Sequence, residues 1–331
     1  MINIVVDAMG GDNAPQAVVD GCVAAAEKLG VKITLVGIEN DIRAALGSYS
    51  GGKIDIVNAS EVISCDDDPV KSIRSKKDSS IVVGMRLVAD GKADAFVSAG
   101  STGAVVSGAT LIIRRIDGIR RVAIGTVIPS ENRPSIMLDC GANADCTPEF
   151  LQQFAVMGDA YMKAVFGIEN PTVALLNNGA EEHKGSTLYK EAHGLLKSMP
   201  INFIGNVEAR YILSGVADVV VADGFSGNVF LKTVEGTASL FSKKLKAALT
   251  KNVFTKISAL TLMGGIGEMK RSFDYTEHGG APILGAKSVV IKAHGSSNAK
   301  AFYNAVRQAK LFAENNVVKL ITDNLQKPLD E

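Results

Sequence analysis

Short apolar runs, many of them β-branched, alternate along this chain with longer segments of helical pattern, and this alternation limits the fold more than any other feature. Runs of this length and composition predict buried strands. Strands that alternate with helices build a mostly parallel sheet with helices on both faces, which is a three-layer α/β fold. The clearest predicted helices are Pro15–Leu29, Ser79–Ala89 and Pro148–Val165. The predicted strands are Ile2–Val6, Ile33–Val36, Ile54–Val57, Ala95–Ser98, Val122–Val127, Ile136–Leu138, Thr172–Leu176, Phe203–Ile204 and Val219–Val221.

No linker, fixed-period repeat or low-complexity segment divides the 331 residues. The length alone suggests about two domains, with a boundary that could fall near residues 140–170, but nothing in the sequence marks one. A large α/β unit can also occupy a chain of this size. Residues 1–331 are therefore predicted to form one large catalytic unit.

The charge balance and the cysteines exclude several classes of function. Basic and acidic residues number 35 each, so the formal net charge is zero, whereas a nucleic-acid-binding protein usually carries a basic excess. The four cysteines form no C-x-x-C pair and no zinc pattern with a histidine. We therefore expect no nucleic-acid partner, no metal and a reducing, cytosolic environment. The N-terminal residues predict a strand and not a signal peptide.

Glycines and small hydroxyl residues follow several predicted strands, where a parallel sheet gathers its functional loops. Backbone N–H groups at the start of a helix, beside the positive end of its dipole, form an anion site. For Ser98–Ala104 the alternative is an ordinary helix N-cap with glycines that allow close packing. The loops are Asp7–Pro15, Ser98–Ala104, Asp139–Asn143, Asn177–Gly185 and Ala222–Asn228.

The remaining polar candidates have simpler alternatives. Asp7 and Asp12 stand where a dinucleotide-binding fold has G-x-G-x-x-G, and two carboxylates would repel a pyrophosphate. They could position a cation or a neighbouring arginine or lysine, or cap the helix near Pro15, and we expect a supporting role for them. Lys184 could neutralise a bound anion or belong, with His183, to a solvated charged loop. Cys140 is predicted to be buried packing, because the adjacent carboxylate opposes a thiolate.

The segment 240–275 differs from the rest of the chain, because it carries seven basic and two acidic residues among interleaved apolar ones. Its uncharged run Ile257–Gly267 is too short to span a bilayer. A basic, apolar helical pair can lie on an anionic membrane surface or dock an acidic partner. The alternative is a dimer-interface helix pair with a solvated lysine face.

Taken together, these segments resemble one family, the bacterial acyl-(acyl-carrier-protein):phosphate acyltransferases of phospholipid synthesis. The resemblance covers nearly the whole chain, and the set and order of its motifs are specific although each motif alone is weak. The motifs are DAMGGD at Asp7–Asp12, SAGSTGA at Ser98–Ala104, DCGAN at Asp139–Asn143, the loop Asn177–Gly185, GNVE at Gly205–Glu208, DGFSGN at Asp223–Asn228, KRSFDYTEHGG at Lys270–Gly280 and KAHGSSN at Lys292–Asn298.

The resemblance implies a fold like those of isocitrate and isopropylmalate dehydrogenases and of phosphotransacetylases. It implies an enzyme without a cofactor that converts acyl-acyl-carrier-protein and inorganic phosphate into acyl-phosphate and free carrier protein. It also implies a cytoplasmic homodimer, loosely attached to the membrane, whose product feeds a membrane glycerol-3-phosphate acyltransferase.

Phosphate is itself a nucleophile, so such an enzyme need only hold it within about 3–3.5 Å of the thioester carbonyl and stabilise the developing oxyanion. We expect Lys184, assisted by Arg271 or Lys292, to offset the charge of phosphate, and Asn177 and Asn143 to orient the carbonyl. The residues expected to cradle phosphate are Ser101, Thr102, Gly103, Ser226, Gly227 and Asn228. The residues expected to hold the site residues in position without contacting the substrate are Asp7, Asp139, Asp223 and Lys232. Those expected to contact carrier protein or membrane are Lys243, Lys244, Lys246, Lys251 and Lys256.

Three other functions stay open from the sequence. A dehydrogenase on the same fold class would bind a nicotinamide cofactor. A phosphotransacetylase would turn over acyl-coenzyme A in place of the acylated carrier protein. A non-enzymatic membrane-surface scaffold would bind vesicles and form no acyl-phosphate.

Overall fold

The computed structural model of the protein describes residues 1–131, 133–272 and 279–325, without the side chains of residues 257, 260, 263 and 267–272. Within that part of the chain one sheet contains eleven strands. The strands are β1 (Asn3–Asp7), β2 (Lys32–Gly37), β3 (Ile54–Asn58), β4 (Ala95–Ser98), β5 (Ala123–Ile128), β6 (Ser135–Leu138), β7 (Thr172–Asn177), β8 (Asn202–Glu208), β9 (Val219–Val221), β10 (Ala281–Leu284) and β11 (Val289–Lys292).

The spatial order of the strands is β3-β2-β1-β4-β11-β10-β5-β6-β9-β7-β8. Neighbouring strands are parallel except at the centre, where β11–β10, β10–β5 and β5–β6 are antiparallel. Because of these reversals, β6, β9, β7 and β8 run opposite to β1–β4 and β11. The carboxyl ends of the two halves therefore lie at opposite ends of the strands, with β5 between them.

Helices connect the strands and cover both faces of the sheet. A π-helical turn, Ala109–Ile113, continues the fifth helix. The helices are α1 (Gln16–Leu29), α2 (Glu39–Leu46), α3 (Pro69–Ser75), α4 (Ser80–Ala89), α5 (Thr102–Gly108), α6 (Pro148–Phe166), α7 (Thr187–Lys197), α8 (Ala209–Ile212), α9 (Gly224–Leu249), α10 (Val253–Ser272), α11 (Ala299–Glu314) and α12 (Val317–Leu325).

The core follows from the alternation of side chains along each strand. In β1, Ile4 and Val6 point to the face covered by α1, α6 and α11, where the largest apolar cluster forms. Val5 points to the other face and packs in a second cluster with α4 and α5. A third cluster lies under α8 and α9 against β6, β7 and β9, and Val106 of α5 packs against both the second and the third. The groove between α5 and α9 therefore lies over the centre of the sheet.

These observations confirm the predicted fold class. All nine predicted strands and the three clearest helices are present, and their ends differ from the prediction by at most one residue except in β8, which continues four residues beyond Ile204. The strands β10 and β11 were missed, because their short apolar runs lie within Gly-rich, polar surroundings. The Val289–Ile291 run is nevertheless a strand signal of ordinary strength.

Candidate active site

A cavity of about 370 Å³ lies over β5, between α5 and α9. Its wall combines the loop after β11 with the starts of α5 and α11, one face of α9 and the turn after β6. Part of this wall is apolar, with Ile124, Val127 and Leu231, and part is polar, with Thr102 and Lys292. The cavity therefore brings together segments from both halves of the sheet.

Lys292 is the buried cation of this cavity. It is the last residue of β11 and is only 9% exposed. Its ammonium group donates to the carbonyl oxygen of Ala99, 3.5 Å away, and to that of Ala293. Burial lowers the pKa of Lys292 to about 8, although the nearby carboxylates of Asp7 and Asp12 favour its charged form. A buried, incompletely compensated ammonium group is a natural partner for an anion.

Asp7 fixes the loop on which Thr102 is carried. The hydroxyl of Ser98 donates to Oδ2 of Asp7 over 2.6 Å and accepts from the N–H of Gly100 over 3.0 Å. Burial raises the pKa of the Asp7 carboxyl, against hydrogen bonds from serines and the charge of Lys292. Asp7 does not cap α1, which begins without a side-chain cap.

A second buried carboxylate, Asp139, organises the turn after β6. It accepts hydrogen bonds from the backbone N–H groups of Ile124, Ala142 and Asn143, and from the side-chain amide of Asn143 over 2.9 Å. Burial raises the pKa of Asp139, and these hydrogen bonds oppose the rise. The amide of Asn143 also donates to the carbonyl of Val122, so its donor group is committed to the turn.

The start of α9 is held by Asp223. Its carboxylate accepts from the N–H of Ser226 over 2.8 Å, from the hydroxyl of Ser226 over 2.9 Å and from the hydroxyl of Tyr189 over 2.6 Å. A β-carbon on Gly227 would overlap the carbonyl oxygen of Asp139. The glycine is therefore required by the close packing of α9 on the turn after β6.

The six residues expected to cradle phosphate occupy different environments. Thr102 and Asn228 line the cavity. The hydroxyl of Ser226 is bound to Asp223, and Gly227 is packed as described above. Ser101 stands at the N-cap of α5 without a side-chain cap bond, and a β-carbon on Gly103 would lie 2.6 Å from Cγ of Pro69. Gly103 therefore allows the close packing considered as the alternative for Ser98–Ala104, and its contact with phosphate stays a prediction.

The loop after β7 is organised internally. The amide of Asn177 donates to the carbonyl of Lys184 over 3.2 Å, and its oxygen accepts from the N–H of Asn178. His183 is exposed and Lys184 is half-buried. Of the described residues, neither Asn177 nor Lys184 is among those that line the cavity.

The other predicted residues lie on or near the last helices before β10. Lys232 lines the cavity and pairs with Glu235 over 2.8 Å. Lys243, Lys244 and Lys246 are exposed on α9, Lys251 is exposed after it, and Lys256 is exposed on α10. The side chain of Arg271 lies outside the described residues.

Sequence reasoning did not single out the cavity wall itself. Glu235 lines the cavity although it belongs to no motif, while Ile124 and Ser297 line it from a predicted strand and from the KAHGSSN motif without having been named as site residues. The sequence did contain a signal for Glu235. It lies one helical turn beyond Leu231 and two turns beyond Asn228, so all three share one face of α9. Cys140 also lines the wall, and it is buried as predicted. Burial raises the pKa of its thiol to about 12, so it is not a ready nucleophile.

Solved structures place this arrangement in a known fold class. A phosphotransacetylase from Streptococcus pyogenes superposes with a TM-score of 0.62 at 19% identity, covering 96% of this chain and 94% of that one. A 4-hydroxythreonine-4-phosphate dehydrogenase from Klebsiella pneumoniae gives 0.52 at 11% identity, covering 94% and 99%. The fold is therefore that of the phosphotransacetylases and related dehydrogenases, as the resemblance implied.

Sequence comparison is more specific. Residues 2–320 match the family described as "Fatty acid synthesis protein". The phosphate acyltransferase of Clostridium botulinum (strain ATCC 19397 / Type A) is 49% identical over 325 residues, 97% of each chain. That of Thermoanaerobacter pseudethanolicus is 46% identical over 331 residues, 100% of this chain and 99% of the relative. The chain belongs to this family of acyltransferases, and the family resemblance is confirmed. In the described part of the chain, every helix is too short or too polar to cross a membrane.

Proposed function

We propose that this enzyme transfers a long-chain acyl group from the thioester of an acylated carrier protein to inorganic phosphate, and that phosphate attacks the thioester carbonyl directly. An oxygen atom of phosphate forms the new C–O bond with the carbonyl carbon, and the carrier thiolate leaves as the C–S bond breaks. The products are acyl-phosphate and free carrier protein. The observation that carries this proposal is the buried ammonium group of Lys292 in a cavity whose wall also carries apolar side chains.

The cavity suits both parts of the reaction. A dianionic phosphate would find its charge offset by Lys292 and hydrogen-bond donors at Thr102 and Asn228. An acyl chain would find Ile124, Val127 and Leu231, which exclude water from the thioester. Since phosphate needs no activation by a covalent group, positioning and electrostatic stabilisation supply the catalysis.

Lys292 is proposed as the principal cation, in place of Lys184, because Lys292 lines the cavity and Lys184 belongs to the internally bonded loop after β7. Arg271 is retained as an assisting cation on the family resemblance alone. Asp7, Asp139 and Asp223 are proposed to act by holding the loops around the cavity. Asn143 and Asn177 are proposed to stabilise the loops in which they lie. Through these loops they would influence the orientation of the thioester carbonyl group.

The decisive experiment incubates the purified protein with palmitoyl-carrier-protein and phosphate and traps the product with hydroxylamine. Acyl-hydroxamate that depends on phosphate is the expected result, and its absence would remove the proposal. A parallel reaction with palmitoyl-coenzyme A distinguishes this activity from that of a phosphotransacetylase, the alternative that the shared fold suggests. A higher kcat/KM on the coenzyme A thioester would favour that alternative.

Three broader expectations also belong to this proposal. The protein is expected to work as a cytoplasmic homodimer, to associate peripherally with the membrane, and to pass acyl-phosphate to a membrane glycerol-3-phosphate acyltransferase. The exposed apolar side chains of Leu240, Phe241 and Phe254 on α9 and α10 support a contact surface there. Analytical ultracentrifugation and vesicle flotation of the full chain test the first two expectations.

A further inference from the structure

One face of α9 forms part of the cavity wall. The residues on this face are Asn228, Leu231, Lys232 and Glu235. Their spacing of three, four and seven residues is that of a single helix face. The helix does not end there, because α9 continues without interruption to Leu249.

The same face can be followed beyond the cavity. At about 100° per residue, the positions in line with Asn228 are Ser239, Ser242 and Lys246, with Lys243 beside them. All four are exposed. The cavity wall therefore extends outwards as a solvent-facing polar strip, and Lys246 lies roughly 16 Å beyond Glu235 at 1.5 Å per residue.

The opposite face of α9 has a different character. Lys244 lies about 160° around the helix from Lys246. Its neighbours on that side are Leu240 and Phe241, which are each 58% exposed. The helix thus separates a basic strip in line with the cavity from an apolar surface that points away from it.

The strip has uncompensated positive charge. Glu235 is the single acidic residue in the α9 sequence, and it pairs with Lys232. Within the described part of the chain, no carboxylate forms an ion pair with Lys243 or Lys246. A positive surface beside a site attracts an acidic partner and orients its approach.

We propose that the strip formed by Ser239, Ser242, Lys243 and Lys246 docks the acidic surface of the protein that carries the acyl thioester, and that Lys244 takes no part. This inference rests on the proposed function, which supplies the protein-borne thioester. A carrier docked on the strip lies in line with the cavity wall, so its flexible prosthetic arm can follow α9 inwards past Glu235 and Lys232 to the cavity. The apolar face with Leu240 and Phe241 stays free for another contact.

Charge reversal on the two faces provides a matched test. The variants are Lys246→Glu, the double variant Lys243→Glu/Lys246→Glu, and the control Lys244→Glu, which makes the same charge change on the same turn of the helix. Binding of holo-carrier protein is measured by fluorescence anisotropy with the full chain. We expect the dissociation constant to rise several-fold for Lys246→Glu and on the order of tenfold or more for the double variant. The control should bind as the wild type does, and the difference should shrink at high salt.

Several outcomes would overturn the inference. Equal weakening by the control would mean that total charge, and not the face of the helix, decides binding. Unchanged binding in the double variant, or no binding of carrier protein to the wild type, would also reject the docking strip. If the double variant instead loses binding to anionic phosphatidylglycerol vesicles while keeping its affinity for carrier protein, the strip binds lipid and the inference is also rejected.

The binding experiment is independent of turnover, so the two proposals can fail separately. A wild-type protein that binds carrier protein through the strip but forms no acyl-hydroxamate would contradict the proposed reaction and leave the docking surface standing. Normal turnover in the double variant, with an unchanged KM for the acylated carrier, would contradict the docking surface and leave the proposed reaction standing. Where docking is impaired, KM for the carrier substrate should rise while KM for phosphate stays at its wild-type value.

Discussion

Gly227, in the first turn of α9, packs against the carbonyl oxygen of Asp139 so closely that a β-carbon at this position would overlap it. The contact joins the start of α9 to the turn after β6. Both segments contribute to the cavity, through Asn228 and Gly141. The distance between these two parts of the wall is therefore set by a glycine.

Replacement of Gly227 by alanine should destabilise the protein. The added methyl group must displace backbone atoms, which costs roughly 1–3 kcal/mol in the free energy of unfolding. Gly236→Ala is the matched control, since it lies on the same helix with open space around its Cα, and it should stabilise by about 0.5–1 kcal/mol. Urea unfolding followed by circular dichroism measures both, and equal effects would contradict the packing argument.

Loss of the buried ammonium group should impair catalysis more than loss of the cation after β7. Lys292→Met should lower kcat/KM for phosphate by on the order of 10²–10³-fold, because a charge contact in a water-poor site disappears. Lys184→Met should have a clearly smaller effect, since Lys184 does not line the cavity. Initial rates of acyl-hydroxamate formation decide between them. The reverse ranking would return Lys184 to the catalytic position that the sequence suggested.

The pH dependence of the reaction should report the protonation of Lys292. Its pKa is lowered to about 8 by burial, so the ammonium form is present below that pH and is lost as the pH rises through it. We expect kcat/KM for phosphate to fall above about pH 8, since this parameter reports the free enzyme. In Lys292→Arg, whose guanidinium stays charged, the remaining activity should lack this basic limb. A wild-type profile that stays flat to pH 9.5 would contradict the control of phosphate binding by a group whose pKa is about 8.

Asp7 is expected to influence the same basic limb from a distance. Its charge favours the ammonium form of Lys292, so Asp7→Asn should shift the basic limb to lower pH. Ser98→Ala breaks the hydrogen bond to Asp7 but leaves the carboxylate in place, and it should lower the rate without that shift. A basic limb that stays in place in Asp7→Asn would show that Asp7 acts only by holding the loop.

Cys140 should be dispensable as a nucleophile. Its thiol is buried and its pKa is raised to about 12, so almost no thiolate exists at neutral pH. Cys140→Ala should keep its rate within about threefold of wild type, a margin that allows for packing loss. Iodoacetamide should label the exposed Cys65 and spare Cys140, as mass spectrometry of peptides can show. Covalent labelling of Cys140 with parallel loss of activity would reverse this conclusion.

The layers of the fold and the order of its loops could be predicted from local patterns along the chain. Apolar runs such as Ala95–Ser98 and Val219–Val221 are buried on both faces of the sheet, and this condition acts residue by residue, so it can be recognised locally. The glycines and polar residues after these strands marked where the loops lie. Thr102 and Asn228 were among the candidates for this reason, whereas Lys292 was a candidate through the family resemblance, since β11 was not predicted.

Which of the candidates share a cavity could not be predicted in this way and follows from the three-dimensional packing. Lys184 lies in the loop after β7 and Lys292 is the last residue of β11, and both resemble anion-binding residues in sequence. Only Lys292 shares a cavity with Thr102 and α9, in a sheet whose two halves are joined by the antiparallel pairings β11–β10, β10–β5 and β5–β6. Gly227 and Gly103 are in close contact with Asp139 and Pro69, which are distant in sequence, and their expected contact with phosphate stays a prediction. Local pattern cannot encode such contacts, because the pairing of strands and the packing of helices join residues that are far apart along the chain.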